Sequence, residues 1–208
     1  MRLILVRHGE STGNFENRMQ GSEGDLTDLG LRQALLAGMR LHELGATTLY
    51  SSPLPRALQT AHNIAERLGS RPIELAGVGE YDFGELAGLT YAEVRARFAN
   101  DPVLAALPPA ERVYPGEEGR ERFQQRVVES FWGVIDNHPD QTVAVVSHGG
   151  PIALFCQSVL RLPYRRPMPF VIANGSFTTI EVSESGGERS AYLYCLNDTC
   201  HLDALRQE

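Results

Sequence analysis

The chain has 208 residues, 42% of them apolar, and a formal net charge of -7. That length supports one substantial core, and the acidic balance excludes a nucleic-acid-binding surface or a polybasic membrane anchor, so any attraction for an anion must be local. No apolar run approaches the roughly 20 residues of a membrane span, and a strand pattern starts almost at Met1 without room for a signal peptide, which predicts a cytoplasmic protein. Cys156, Cys195 and Cys200 fit reduced thiols better than a disulfide framework, and the last two with His201 fall short of a closed zinc site.

In chain order, the apolar run Leu3 to Val6 reads as a strand that ends in Arg7-His8-Gly9-Glu10. A polar loop follows from Gly9 to Asp25. Thr27 then caps a helix carrying Leu31, Ala34, Leu35, Gly38 and Leu41 at helical spacing, stopped by Gly45. The β-prone run Thr47 to Tyr50 leads through Ser51-Ser52-Pro53 into a second amphipathic helix, marked by Ala57, Ala61, Ile64, Ala65 and Leu68 and ended by Gly69. A short extended piece, Ile73 to Ala76, precedes a Gly-rich segment carrying Glu80, Asp82 and Glu85. Thr90 and Glu93 form a capping box, Pro102, Pro108, Pro109 and Pro115 interrupt regular structure, and a longer helix runs from about Glu118 to Asn137. Residues 86–117 are expected to form a small cap, an insertion within a single domain spanning 1–208. The strand Thr142 to Val146 ends in Ser147-His148-Gly149-Gly150, with the two glycines at a turn before the helical run Pro151 to Leu160. Ser176 to Val182 and Ala191 to Leu196 alternate as strands joined near Gly186-Gly187, one of them antiparallel to the rest. The expected fold is a three-layer α/β/α sandwich with a mostly parallel sheet.

Two strands that each end in a histidine propose a site, because strand carboxyl ends in a parallel sheet face one crevice. Arg7 adds fixed positive charge there, and Gly9 is expected to let backbone approach a ligand closely, a combination suited to a phosphoryl group. A phosphomonoester is cleaved without metal or cofactor if the site supplies a nucleophile, cationic charge and an acid. His8 attacks with one ring nitrogen while a backbone carbonyl holds the other. Arg7, Arg56 and a protonated His148 neutralise the phosphoryl oxygens, and Asn14 and the Gly149 N–H add neutral donors. A helix starting after Gly150 points its positive end at the anion, an effect of roughly 0.3–1 kcal/mol.

Four motifs, Arg7-His8-Gly9-Glu10-Ser11-Thr12 with Asn14, Ser51-Ser52-Pro53-Leu54-Pro55-Arg56-Ala57, Glu80 before Phe83-Gly84, and Ser147-His148-Gly149-Gly150, occur in an order that resembles the histidine phosphatase superfamily, in its phosphoglycerate-mutase-like branch. Asn174-Gly175-Ser176 and Thr178 are similar to a late strand signature of the family. The resemblance implies a metal-free, two-step transfer in which His8 becomes a phosphohistidine and Glu80 protonates the leaving oxygen, then helps water attack. Glu85, on the same loop, competes as the acid, and Asp82 reads as a turn former. The family's second glutamate before Gly88 is replaced by Ala87. Glu10 and Ser11 are expected to position the site or touch substrate, while Arg18, Gln20 and Gly21 match a loop that approaches the leaving group in relatives.

The expected activity is hydrolysis of a small phosphorylated metabolite. A cofactor-dependent phosphoglycerate mutase is the alternative, since it shares the same chemistry. It is disfavoured because the segment from Glu93 to Glu121 is short and proline-broken, with Arg95, Arg97, Arg112, Arg120 and Arg122 interleaved with glutamates as on a solvated surface. A catalytically idle phospho-ligand-binding regulator is the third reading, and the joint presence of His8, Arg7, Arg56, Glu80 and His148 argues against it. His42, His62 and His138 read as surface or capping residues, His201 as part of a solvated tail, and Trp132 as core. Oligomeric state stays open.

Overall fold

The computed structural model describes residues 1–108, 111–164 and 168–206, so Pro109 of the expected proline breaks lies outside the described residues. Six strands form one sheet: β1 (Arg2–Arg7), β2 (Thr48–Ser51), β3 (Ile73–Glu74), β4 (Thr142–Ser147), β5 (Phe177–Ser185) and β6 (Glu188–Asp198), in the order β3-β2-β4-β1-β5-β6. β3, β2, β4 and β1 are parallel, and β5, antiparallel to both its neighbours, runs against the other five. The helices are α1 (Thr12–Phe15), α2 (Asp28–Glu43), α3 (Pro55–Leu68), α4 (Tyr91–Arg97), α5 (Pro102–Ala105), α6 (Arg120–Asn137) and α7 (Gly149–Val159).

The central strands are continuous apolar runs because helices cover both faces. Leu3, Leu5, Val143 and Val145 point into a core shared with Phe123, Phe131 and Phe155 of α6 and α7, while Ile4, Val6, Ala144 and Val146 meet Ala37, Leu41, Ala61 and Ile64 of α2 and α3. The period of two thus divides one strand between two cores, which is the three-layer sandwich in residue terms. Register does the rest: β1 pairs with β4 from Arg2↔Thr142 to Arg7↔Ser147, so His8 and His148 leave the sheet side by side.

Local differences have local causes. α6 starts at Arg120, not Glu118, because Gly119 before it adopts φ 84°, outside the helical range. The extended piece after α3 covers only Ile73–Glu74, and the chain turns into a 3-10 helix at Ala76–Val78. Gly149 and Gly150 form the first turn of α7, with His148 as its N-cap residue, instead of a turn preceding the helix. The tail is packed: Cys200–Arg206 is a 3-10 helix with Leu202 buried, and the His201 ring lies 4.3 Å from that of Phe177, centroid to centroid. Trp132 meets Phe155 edge-on at 5.6 Å, as core packing requires. No helix among the described residues is long and apolar enough to cross a membrane.

Candidate active site

The two strand-end histidines form the floor of the site. Both are buried, and their rings lie 5.0 Å apart. His8 Nδ1 contacts its neighbour's carbonyl, Gly9 O, at 2.7 Å, which fixes that nitrogen as the protonated one and leaves Nε2 with a lone pair. Asn174 helps hold this segment, donating from its side-chain amide to His8 O and Gly9 O, and to Asn14 Oδ1 at 2.9 Å. Burial first, then the charges of Arg7 and Arg56, push the His8 imidazole well below its ordinary range, so it is neutral at neutral pH.

His148 corrects one expectation. Burial, then His8, Arg56 and Arg7, hold it too well below the usual imidazole range, so the free site contains a neutral ring and not a cation. Its Nε2 lies 2.8 Å from Ser52 Oγ, and its Nδ1 is buried without a partner in the protein.

The positive charge comes from two arginines. Arg56, in the first turn of α3, is fully buried, and its Nη1 donates to Gly21 O at 2.9 Å and Glu23 O at 3.3 Å. Burial lowers its pKa to about 10, against the opposing pull of Glu80, so it stays cationic at neutral pH. Arg7 donates to Ile172 O, and its Nε packs against Gly149. Arg7 Nε, Arg56 Nε, Arg56 Nη2 and His148 Nδ1 are all buried with no hydrogen-bond partner in the protein. Unsatisfied buried donors cost free energy, of order 1–3 kcal/mol each, unless a ligand satisfies them.

Glu80 stands at the rim, half-buried, with Oε1 accepting from Tyr81 N at 2.9 Å and Oε2 from Gly150 N at 3.2 Å. A side chain at position 150 would place Cβ 2.2 Å from Glu80 Oε1, so this glycine is what lets the carboxylate sit against the start of α7. Glu85, the competing acid, is exposed and paired with Arg97 at 2.9 Å. Asp82 caps its own turn by accepting from Gly84 N, as expected.

The structure gives packing or positioning reasons for several of these residues. A Cβ at Gly9 would lie 2.4 Å from Gly30 O, so its absence lets α2 pack on the end of β1. Ser11 is the buried N-cap of α1, its hydroxyl donating to Gln20 Oε1 at 2.6 Å with Asn14 Oδ1 2.9 Å away, which positions the loop. Glu10 accepts from Thr27 Oγ1 and likewise positions the loop. Gln20 and Gly21 line a separate cleft of about 470 Å³ between residues 12–24 and Ala87-Gly88. Gly21 acts on the site through the carbonyl that holds Arg56, and Arg18 ties this loop to Gly88 O. Asn14 stays at the site through Asn174, and Gly149 through its place at the start of α7 beside Arg7.

Arg126 was not anticipated. From α6 it donates to Gly77 O, Gly79 O and Glu80 O at 2.8–3.0 Å and forms a two-point pair with Glu118 at 2.6 and 2.8 Å. Glu118 in turn accepts from Asp82 N, so the loop that carries Glu80 is fastened on both sides. The signal available in sequence was an arginine at i+3 from Phe123 beside Val127, on the stripe that α6 turns inward.

A larger cleft, about 720 Å³, has Glu80 and Gly150 in its wall, with Arg95, Arg112, Glu117 and several aromatic side chains around it. Among the described residues no group of three or more His, Cys, Asp or Glu is placed to hold a metal ion.

The sequence profile of the histidine phosphatase superfamily, branch 1, matches residues 3–193. Phosphoserine phosphatase 1 of Hydrogenobacter thermophilus is 33% identical over 204 residues, covering 97% of this chain and 94% of the relative. A 2,3-bisphosphoglycerate-dependent phosphoglycerate mutase of Bartonella tribocorum is 32% identical over 158 residues, 72% of this chain and 77% of the relative. The solved structure of a mycobacterial glucosyl-3-phosphoglycerate phosphatase with VO3 superimposes with a TM-score of 0.81 at 29% identity, covering 95% of this chain and 99% of that one.

Proposed function

Because this chain belongs to the histidine phosphatase superfamily, we propose that it is a phosphomonoester hydrolase in which His8 is the nucleophile and Glu80 the proton carrier. Membership and the phosphatase relatives support the hydrolase class. The roles of individual residues rest on one observation above all: Arg7, Arg56 and His148, whose charges or ring bear on His8, carry four buried nitrogens without partners, while Nδ1 of His8 is held by Gly9 O.

In the first step the His8 Nε2 lone pair forms a bond to phosphorus as the ester P–O bond breaks. Glu80 gives its proton to the leaving alkoxide, so alcohol departs and a phosphohistidine remains. In the second step the Glu80 carboxylate takes a proton from water, whose oxygen bonds to phosphorus as the P–N bond breaks, releasing inorganic phosphate and restoring His8. Arg7 and Arg56 neutralise the oxygens throughout, and with the Ser52 hydroxyl donating to Nε2, His148 offers an Nδ1–H donor. The two arginines supply the charge that a metal would otherwise bring, which makes the reaction metal-independent.

Residues 86–117 act as a cap on a single domain, and the free thiols suit a reducing, cytoplasmic setting. Phosphorus NMR with a panel of phosphomonoesters, 3-phosphoglycerate plus trace 2,3-bisphosphoglycerate included, and a chelator present, tests the reading. Release of inorganic phosphate is the expected result. Conversion to 2-phosphoglycerate without net release would replace it with the mutase reading, which the Bartonella relative favours, and loss of turnover on chelation would end the metal-free mechanism.

A further inference from the structure

The larger cleft says what kind of alcohol leaves. Since Glu80 and Gly150 form part of its wall, its occupant lies on the side of the phosphoryl group where the proton is delivered, which is the position of the leaving half. Its size falls within the range of pockets that enclose drug-sized ligands. Phe83, Tyr91, Val94 and Met168 make much of the lining, and Tyr91 is 66% exposed at the start of α4. The Glu117 carboxylate also lines the cleft, but a compact polyol or amino-acid alcohol would leave most of its apolar wall uncovered, whereas a ring would be dehydrated favourably against it and stack.

Charge stands at the other end. Arg95 and Arg112, read from sequence as solvated surface, both line this cleft. Both also border a smaller cavity of about 100 Å³ bounded by Phe98, Leu104 and Tyr114, which Glu80 and Gly150 do not reach. The two arginines thus join the cleft to a cavity whose lining includes neither Glu80 nor Gly150, and guanidinium groups there suit a second anion.

Resting on the hydrolase reading above, we propose that the substrate is a phosphomonoester of a bulky, ring-bearing and largely apolar alcohol that ends in an anionic group such as a carboxylate. The ring lies over Tyr91 and Phe83, and the anion meets Arg95 and Arg112.

Four esters with alkanol leaving groups test this without confusing binding with leaving-group chemistry: glycerol 3-phosphate, phosphoserine, 3-phenylpropyl phosphate and 3-(4-carboxyphenyl)propyl phosphate. In the full-length protein, kcat/KM for the phenylpropyl ester exceeds that of the first two by about tenfold, and the carboxylate adds about tenfold more. The double variant Arg95→Gln/Arg112→Gln removes the carboxylate increment, and Tyr91→Ala narrows the ring preference. Equal or faster turnover of phosphoserine or glycerol 3-phosphate, or a carboxylate increment that survives in the double variant, would overturn this inference while leaving the hydrolase reading intact. Phosphate release from none of the four would overturn the hydrolase reading itself.

Discussion

The floor of the site and its acid-bearing wall are built on opposite principles. His8, Arg56 and His148 are buried at the ends of β1 and β4 and the start of α3, held by the sheet register and by backbone carbonyls. Glu80 sits on a loop outside the strands, and its position depends on a glycine that yields space and an arginine that fastens the backbone from α6. The floor is preorganised at the expense of desolvated, partnerless donors. The wall is held by hydrogen bonds that individual substitutions can remove. Chemistry that requires fixed charge therefore belongs to the sheet, while proton delivery and choice of alcohol belong to elements that adjust.

This contrast predicts unequal responses to mutation. His8→Ala removes the nucleophile and lowers kcat by about 10⁴-fold or more for every ester, with a near-normal melting curve. Glu80→Gln and Gly150→Ala lower kcat by about 10²-fold for alkyl esters but far less for 4-nitrophenyl phosphate, whose phenolate needs little help from an acid. Equal losses for both leaving groups would show that position 150 damages the floor and not the wall. Arg126→Gln gives the same leaving-group signature at about tenfold, together with a stability loss of about 1–3 kcal/mol from the carbonyls it leaves unpaired. If its effect on kcat were independent of the leaving group, its role would be structural only.

A last effect, which leaves the chemical step aside, is one of pH on stability. His8 and His148 bind protons less tightly folded than unfolded, so acid favours the unfolded chain. Stability is full above the unfolded histidine value near 6.5 and falls by about 1.4 kcal/mol per group for each pH unit below it, until the folded rings themselves protonate. Urea melts at pH 8, 7, 6 and 5 measure this slope, which becomes shallower in His148→Asn. A slope unchanged by that substitution would mean that other groups carry it.

The same division governs what the sequence discloses. Strand-end histidines were legible because continuous apolar runs place them at one sheet edge, and Thr27, Thr90 and Gly69 mark helix limits by local chemistry. The loop-borne features were not, since they depend on approach between distant segments. Gly9 and Gly150 are small for their neighbours Gly30 and Glu80, 21 and 70 residues away. Ser11 was legible only as a residue that positions the site or touches substrate, because an N-cap serine and a phosphate-binding serine have the same composition signature. His148 was expected to be charged because burial among cations is a tertiary fact.

Rapid quench of the protein with a phosphorus-labelled substrate tests the central claim most directly. The account predicts a protein-bound phosphoryl group that is stable in alkali, labile in acid, located on His8 by peptide mapping and absent from His8→Ala. Phosphate release at full rate from His8→Ala, or a label mapped to any other residue, would contradict it.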